Sequence, residues 1–294
     1  DPSACAIRAQ VFDGDGIKVG AELLVNTTTA GDQGYSSVTA LADGHFVVAW
    51  ADNSQSPPDE SGGAIRAQMF NGDGTKAGGE ILVNTTVNGS QFLPALLALA
   101  DGRFVAAWTD ESGASPDTFG RAIRVQVFGA NGTKDGGELV VNTTVTGDQV
   151  QPSLSALADG RFVVAWTDLS QSGGDASGSA VRAQILDPRT ESVVLLGTAD
   201  GDDFVGTPWS DTLWGGLGDD RLDGGGSGDE LRGESGNDVY VVDGPFDLVV
   251  EGVDQGTDRV ESATFSLDLN VYANVENATL TGLALLGIIY LFAI

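Results

Sequence analysis

Cysteine, histidine and methionine each occur once among the 294 residues, and 14 basic residues face 42 acidic ones. The lone Cys5 excludes an intrachain disulfide, so outside the cell such a chain needs another staple, of which bound metal is one. A formal net charge of −28 excludes the basic surface that nucleic acid demands and disfavours an anionic membrane face. It fits a solvated surface or one neutralised by cations. The chain's own repeats put Arg103 and Arg161 at the position of His45, which makes that histidine a turn residue and not a base. No His-Glu-x-x-His, Gly-x-Ser-x-Gly or phosphate-loop pattern occurs. The uncharged ending "LALLGIIYLFAI" (283–294) is shorter than the ~20 residues of a spanning helix and reads as a packed terminal strand or an expression artefact rather than a membrane anchor. At the other end, "DPSACAIRAQ" has neither the basic nor the apolar region of a secretory leader.

Repetition is what the chain has instead. Residues 5–186 repeat without a gap every 58 positions: "AIRAQVF" at 6 returns at 64, 122 and 180, "ELLVNTT" at 22 returns at 80 and 138, and "LADGHFVVAW" at 41 returns at 99 and 157. Each unit reads as four short strands, in the third copy "PSLSALA", "RFVVAWTD", "AVRAQIL" and "SVVLLGT". Asp-Gly between the first two is a tight-hairpin signal, since it tolerates positive φ. "FVVAW" is apolar on both pleat faces, as a strand must be when sheets cover it on both sides. The repeats therefore resemble the blades of a β-propeller. Three and a half blades over residues 1–196 underfill an ordinary ring, and the unpaired edges and uncovered faces that result call for either closure of a compact ring between the 6–28 strands and the third blade or, the favoured reading, self-association into a homo-oligomer.

From residue 197 the period drops to nine: "GTADGDDFV", "GTPWSDTLW", "GGLGDDRLD", "GGGSGDELR", "GESGNDVYV". The sixth place is always aspartate (Asp202, Asp211, Asp220, Asp229, Asp238), and the eighth is Phe204, Leu213, Leu222, Leu231 or Tyr240. Leading glycines, among them Gly215, Gly218, Gly233 and Gly236, let the backbone turn sharply and aim carbonyl oxygens inward, while each aspartate adds a carboxylate. Hard oxygen donors in flexible number suit Ca²⁺.

This pattern is similar to the calcium-binding nonapeptide of the RTX, or haemolysin-type, family over roughly 197–241. The resemblance implies a parallel β-roll over 197–242 in which two nonapeptides make one coil. Calcium sites are then shared eighteen residues apart, between Asp202, Asp220 and Asp238 on one side and Asp211 and Asp229 on the other. Thr207, Pro208 and Trp209 stand where glycines belong, so Asp220/Asp238 is the better-formed pair and Asp211/Asp229 the weaker. Residues 243–294, with strands at "DLVVE" and "DRVESATFSL", are expected to cap the roll. The resemblance also implies a bacterial protein secreted by the type I route. Low cytosolic calcium would leave the roll unfolded and external calcium would fold it.

The fold expected is thus all-β, four-stranded antiparallel propeller-like repeats followed by a parallel β-roll. Its partner class is less sharply drawn. Trp50, Trp108 and Trp166, each followed two residues later by Asp52, Asp110 or Asp168, fit packing between blades, or else sugar-stacking platforms of a lectin or adhesin that binds extracellular glycans. Arg8, Arg66, Arg124 and Arg182 are expected to pair with acids of the neighbouring blade. "NTT" at 26, 84 and 142 reads as turn capping rather than glycosylation. The alternatives are a polysaccharide-active hydrolase with a carboxylate pair on the loops 51–63, 109–120 and 167–178, and a structural matrix protein.

Overall fold

The computed structural model describes residues 5–59, 62–173, 178–264 and 267–281, so the apolar ending at 283–294 lies outside the described residues. The chain divides into two compact units, Asp1–Pro188 and Arg189–Ile294.

The first unit is a series of antiparallel meanders. A hairpin of β1 (Arg8–Phe12) and β2 (Lys18–Leu24) precedes two four-stranded sheets. These are β3 (Gln33–Ala40), β4 (Phe46–Asp52), β5 (Ala64–Phe70) and β6 (Lys76–Leu82), then β7 (Gln91–Ala98), β8 (Phe104–Asp110), β9 (Ala122–Phe128) and β10 (Lys134–Val140). A three-stranded sheet of β11 (Gln149–Ala156), β12 (Phe162–Asp168) and β13 (Ala180–Leu186) follows. The Asp-Gly turns form as their chemistry requires: Gly44, Gly102 and Gly160 sit at φ 88° to 89°, where a β-carbon is disfavoured. The preceding Asp43, Asp101 and Asp159 accept the N–H two residues on.

Burial of β4 and β8 on both faces follows from stacking. Val47, Ala49, Ala51, Ile65 and Ala67 of one sheet pack on Phe104, Ala106, Trp108 and Phe128 of the next. The pattern repeats with Val105, Ala107, Ile123 and Val125 against Phe162, Val164 and Trp166. Polar side chains cross the same seams. Glu80 on β6 accepts the N–H groups of Thr27 and Thr28, and Glu138 on β10 accepts those of Thr85 and Thr86.

The second unit is a parallel β-solenoid. One sheet runs β14 (Val194–Leu196), β16 (Thr212–Leu217), β18 (Glu230–Ser235), β20 (Leu248–Val249). The other runs β15 (Asp203–Val205), β17 (Arg221–Asp223), β19 (Val239–Val241), β21 (Arg259–Ser262), β22 (Asn277–Leu280). Eighth-place Phe204, Leu213, Leu222, Leu231 and Tyr240 stack into its core. Two expectations change. "SVVLLGT" does not complete the third blade: Val194 pairs in parallel with Thr212, so the segment is the first rung of the roll. Among the described residues after 242, β20, β21 and β22 extend the same two sheets.

Candidate metal centre

Carboxylates lace successive coils of the roll. The main-chain N–H of Asp202 donates to Oδ1 of Asp220 (2.7 Å), that of Asp220 to Oδ1 of Asp238 (2.9 Å), and that of Asp238 to Oδ1 of Asp258 (2.9 Å). The column ends on Glu276, which accepts from the N–H of Asp258 (2.8 Å). In a second column, Asp211 donates to Oδ1 of Asp229 (2.8 Å) and Asp229 to Oδ1 of Asp247 (3.2 Å). Parallel pairing at an eighteen-residue offset brings each sixth-place side chain under the amide of the coil before it.

The second carboxylate oxygen divides the coils into two kinds. In the first two nonapeptides a threonine fills the second place. Oδ2 of Asp202 accepts the N–H (2.7 Å) and hydroxyl (3.1 Å) of Thr198, and Thr207 serves Asp211 in the same way. In the next three, Gly216, Gly225 and Glu234 stand there, and Oδ2 of Asp220, Asp229 and Asp238 is buried without a partner. Each orphan oxygen hangs over the first glycine of its own nonapeptide. A β-carbon on Gly215, Gly224 or Gly233 would lie 2.1, 2.5 or 2.0 Å from it.

Burial of such oxygens disfavours the ionised carboxylate, and a bound cation would offset that cost. Burial, reinforced by the carboxylates of Asp247, Asp211 and Asp243, pushes Asp229 up to about 7 against the opposing N–H of Asp211. Burial, with Asp220, Asp258 and Glu251 nearby, likewise pushes Asp238 up to about 7. Asp220 and Asp258 are raised by the same cause.

A denser cluster forms at Asp238. One carboxylate oxygen each from Asp238, Glu251 and Asp258 lies within 4.8 Å of the others. Glu251 occupies the place that Gly215 and Gly233 hold in earlier coils. It accepts the Tyr240 hydroxyl, which in turn accepts the N–H of Gly233 (2.8 Å). Partnerless buried oxygens and an all-oxygen donor set fit a hard divalent cation such as Ca²⁺.

The predicted aspartates therefore fall into the two expected columns, and Gly215 and Gly233 lie against the carboxylates. Gly218 and Gly236 do different work. They sit at φ 109° and 146°, and a β-carbon on Gly236 would stand 1.7 Å from the Gly218 carbonyl oxygen, so they allow close approach between coils. Asp247, Glu251, Asp258 and Glu276 were missed. Asp247 keeps the eighteen-residue spacing from Asp229 and was within reach of that ruler, whereas Asp258 stands twenty after Asp238.

The sugar-platform reading of the first unit fails on burial. Trp50 and Trp108 are fully buried and Trp166 is 5% exposed, all in the seams between sheets, so no ring face is open to a ligand. Asp52, Asp110 and Asp168 are buried as well, each receiving the guanidinium of Arg66, Arg124 or Arg182 and the amide of Gln33, Gln91 or Gln149. These arginines pair across strands of their own sheet, because the antiparallel register sets Arg66 opposite Trp50, two residues from Asp52, and the later copies follow it. The exposed Arg8 likewise pairs with Glu22 of its own hairpin. Asn26, Asn84 and Asn142 of "NTT" are buried, and their Oδ1 atoms accept the N–H of Ile7, Ile65 and Ile123. Among the described loop acids, Asp59 and Asp117 are buried against Asn84 and Asn142, and Glu111 binds Arg121.

No family model and no curated protein matches the chain. Among solved structures, an endo-arabinase from Bacteroides thetaiotaomicron VPI-5482 is similar at 14% identity and a TM-score of 0.35, over 52% of this chain and 56% of that one. A protein of unknown function from Dyadobacter fermentans DSM 18053 is similar at 16% identity and a TM-score of 0.38, over 53% and 51%. The chain spans about half the length of each.

Proposed function

We propose that the second unit is a calcium-dependent folding module of RTX type, carried by a secreted protein whose blade repeats form a binding scaffold. The observation that carries this reading is the set of three buried carboxylate oxygens, on Asp220, Asp229 and Asp238, that no protein group satisfies. Asp220, Asp229 and Asp238 would hold the ions through these oxygens, which pack so closely on Gly215, Gly224 and Gly233 that only glycine fits beneath them. Calcium supplies positive charge where stacked aspartates otherwise repel, and so couples folding to the calcium level outside the cell. The test is hydrogen exchange on the full chain. Amides of 197–264 are expected to gain protection on passing from EDTA to millimolar calcium, while those of 33–168 stay unchanged. Equal protection of the roll in both solutions overturns the reading.

For the scaffold, glycan binding remains the reading, moved from the tryptophans to a cleft of about 340 Å³ lined by Tyr35, Ser36, Leu93, Pro94, Gln151 and Pro152. Tyr35 is 65% exposed there, an open aromatic face beside polar partners. A glycan array run with wild type and Tyr35→Ala decides it: retention lost in the variant supports the cleft, and retention of no glycan by wild type removes the reading.

A further inference from the structure

The last long coil of the roll departs from the nonapeptide rule in two ways at once. It puts Glu251 where earlier coils have Gly215 and Gly233, and it spaces Asp258 twenty residues after Asp238 instead of eighteen. Both changes deliver carboxylates to one place, where Asp238, Glu251 and Asp258 converge within 4.8 Å. The convergence is built, not superficial. Asp238 and Asp258 are each 1% exposed, and Glu251 is 9% exposed. Asn274 Nδ2 anchors the Glu251 carbonyl oxygen at 2.9 Å, while the Tyr240 hydroxyl and the Gly252 N–H (2.9 Å) orient its carboxylate.

A second observation points to a ligand. Oδ2 of Asp238 has no partner, and it crowds the same side of Gly233 as the Tyr240 hydroxyl: a β-carbon there would be 2.0 Å from one and 2.3 Å from the other. The partnerless oxygen thus faces the hydroxyl that holds Glu251. Tyr240 matters for the same reason, since Leu213, Leu222 and Leu231 at its place in other coils fill the core but can hold no carboxylate.

We propose that Asp238, Glu251 and Asp258, positioned by Tyr240, form a three-carboxylate site for one hard divalent cation of calcium's class, different in composition from the sites at Asp220 and Asp229 and the tightest in the chain. Three carboxylates concentrate more charge on the ion than one aspartate facing glycine, and affinity in oxygen-ligand sites rises with ligand charge and rigidity. The site rests on the calcium reading of the roll, which it deepens.

Isothermal titration of the EDTA-stripped full chain with calcium, wild type beside Glu251→Gln, tests it. Wild type is expected to show one class of site at least 10-fold tighter than the rest, and Glu251→Gln to lose that class while keeping the weaker ones. Asp258→Asn gives a second measurement if Glu251→Gln does not fold, and is expected to lose the same class. A folded variant with an unchanged tight class overturns the three-carboxylate site but leaves the calcium reading standing. A wild type that takes up no calcium overturns both.

Discussion

The main-chain N–H of Asp211 donates to Oδ1 of Asp229, yet the two carboxylates end differently: Thr207 satisfies the rest of Asp211, and Oδ2 of Asp229 has nothing. The pair separates a coil whose carboxylate is fully partnered from one with an oxygen left open, where a cation is proposed. Asp229→Asn is therefore expected to lower the number of calcium ions bound by the full chain by one, and Asp211→Asn to leave that number unchanged. Asp211→Asn should instead cost about 1–3 kcal/mol of roll stability in calcium, the scale of a disrupted buried hydrogen-bond set. Equilibrium dialysis and thermal unfolding read the two effects separately.

Gly233→Ala tests the space beside the carboxylate. The added carbon would stand 2.0 Å from Oδ2 of Asp238 and 2.3 Å from the Tyr240 hydroxyl, too close for either to stay. Overpacking of this kind costs about 1–3 kcal/mol, and here it also displaces the oxygen proposed to hold the ion. The variant should need more calcium to protect 230–241 from hydrogen exchange. Wild-type protection at wild-type calcium would show that this oxygen holds no ion.

The two units should respond to acid with opposite signs. In the metal-free roll, Asp229 and Asp238 titrate at about 7 when folded, against ~3.9 when unfolded. The folded state then binds the extra protons, so their stabilisation is complete below about pH 4 and is lost as pH rises through about 7. For Asp168 the order is reversed. Burial alone would raise it, but the N–H of Ser170, the Arg182 guanidinium, the Ser170 hydroxyl and Gln149 hold it at about 2. Its contribution is present above about pH 4 and lost as pH falls through about 2. Hydrogen exchange in EDTA should show roll amides better protected at pH 5 than at pH 8, and amides of 149–168 losing protection only below about pH 4.

Trp108→Ala distinguishes a seam from a platform. The side chain is fully buried between two sheets, so its truncation is expected to cost about 3–5 kcal/mol. Thermal unfolding at fixed calcium measures this, and calcium uptake by the roll should be unaffected. A loss below 1 kcal/mol would contradict the packing role.

Much of this is legible in the residues alone. Asp-Gly turns, doubly apolar "FVVAW" strands and phased aspartates each obey a local rule, and each element formed where its rule put it. Three features were not legible. "SVVLLGT" carries a strand pattern that suits a blade edge and a roll rung equally, and only pairing decides. Thr207 read as a lost glycine, whereas its hydroxyl does for Asp211 what a cation would do for Asp229. Trp50 and Asp52 share one motif with Arg66, and the repeat that marks the motif is the same whether it serves a ligand or a seam.

The third sheet leads to a prediction about assembly. In the two sheets before it, Ile65 and Ile123 lie under the following sheet and are 0% exposed. Val181 holds the corresponding position on β13 and is 82% exposed, with Ile185 at 49% on the same face. The residues are those of a surface that is covered twice elsewhere in this chain, so the occupant it fits is another sheet of the same kind, supplied by a second copy. Multi-angle light scattering in calcium should then give a mass above the 30.1 kDa of one chain, and Val181→Lys should return it to that value because a buried ammonium is costly. A wild type that stays at one chain's mass across micromolar concentrations would mean that no second copy covers this face.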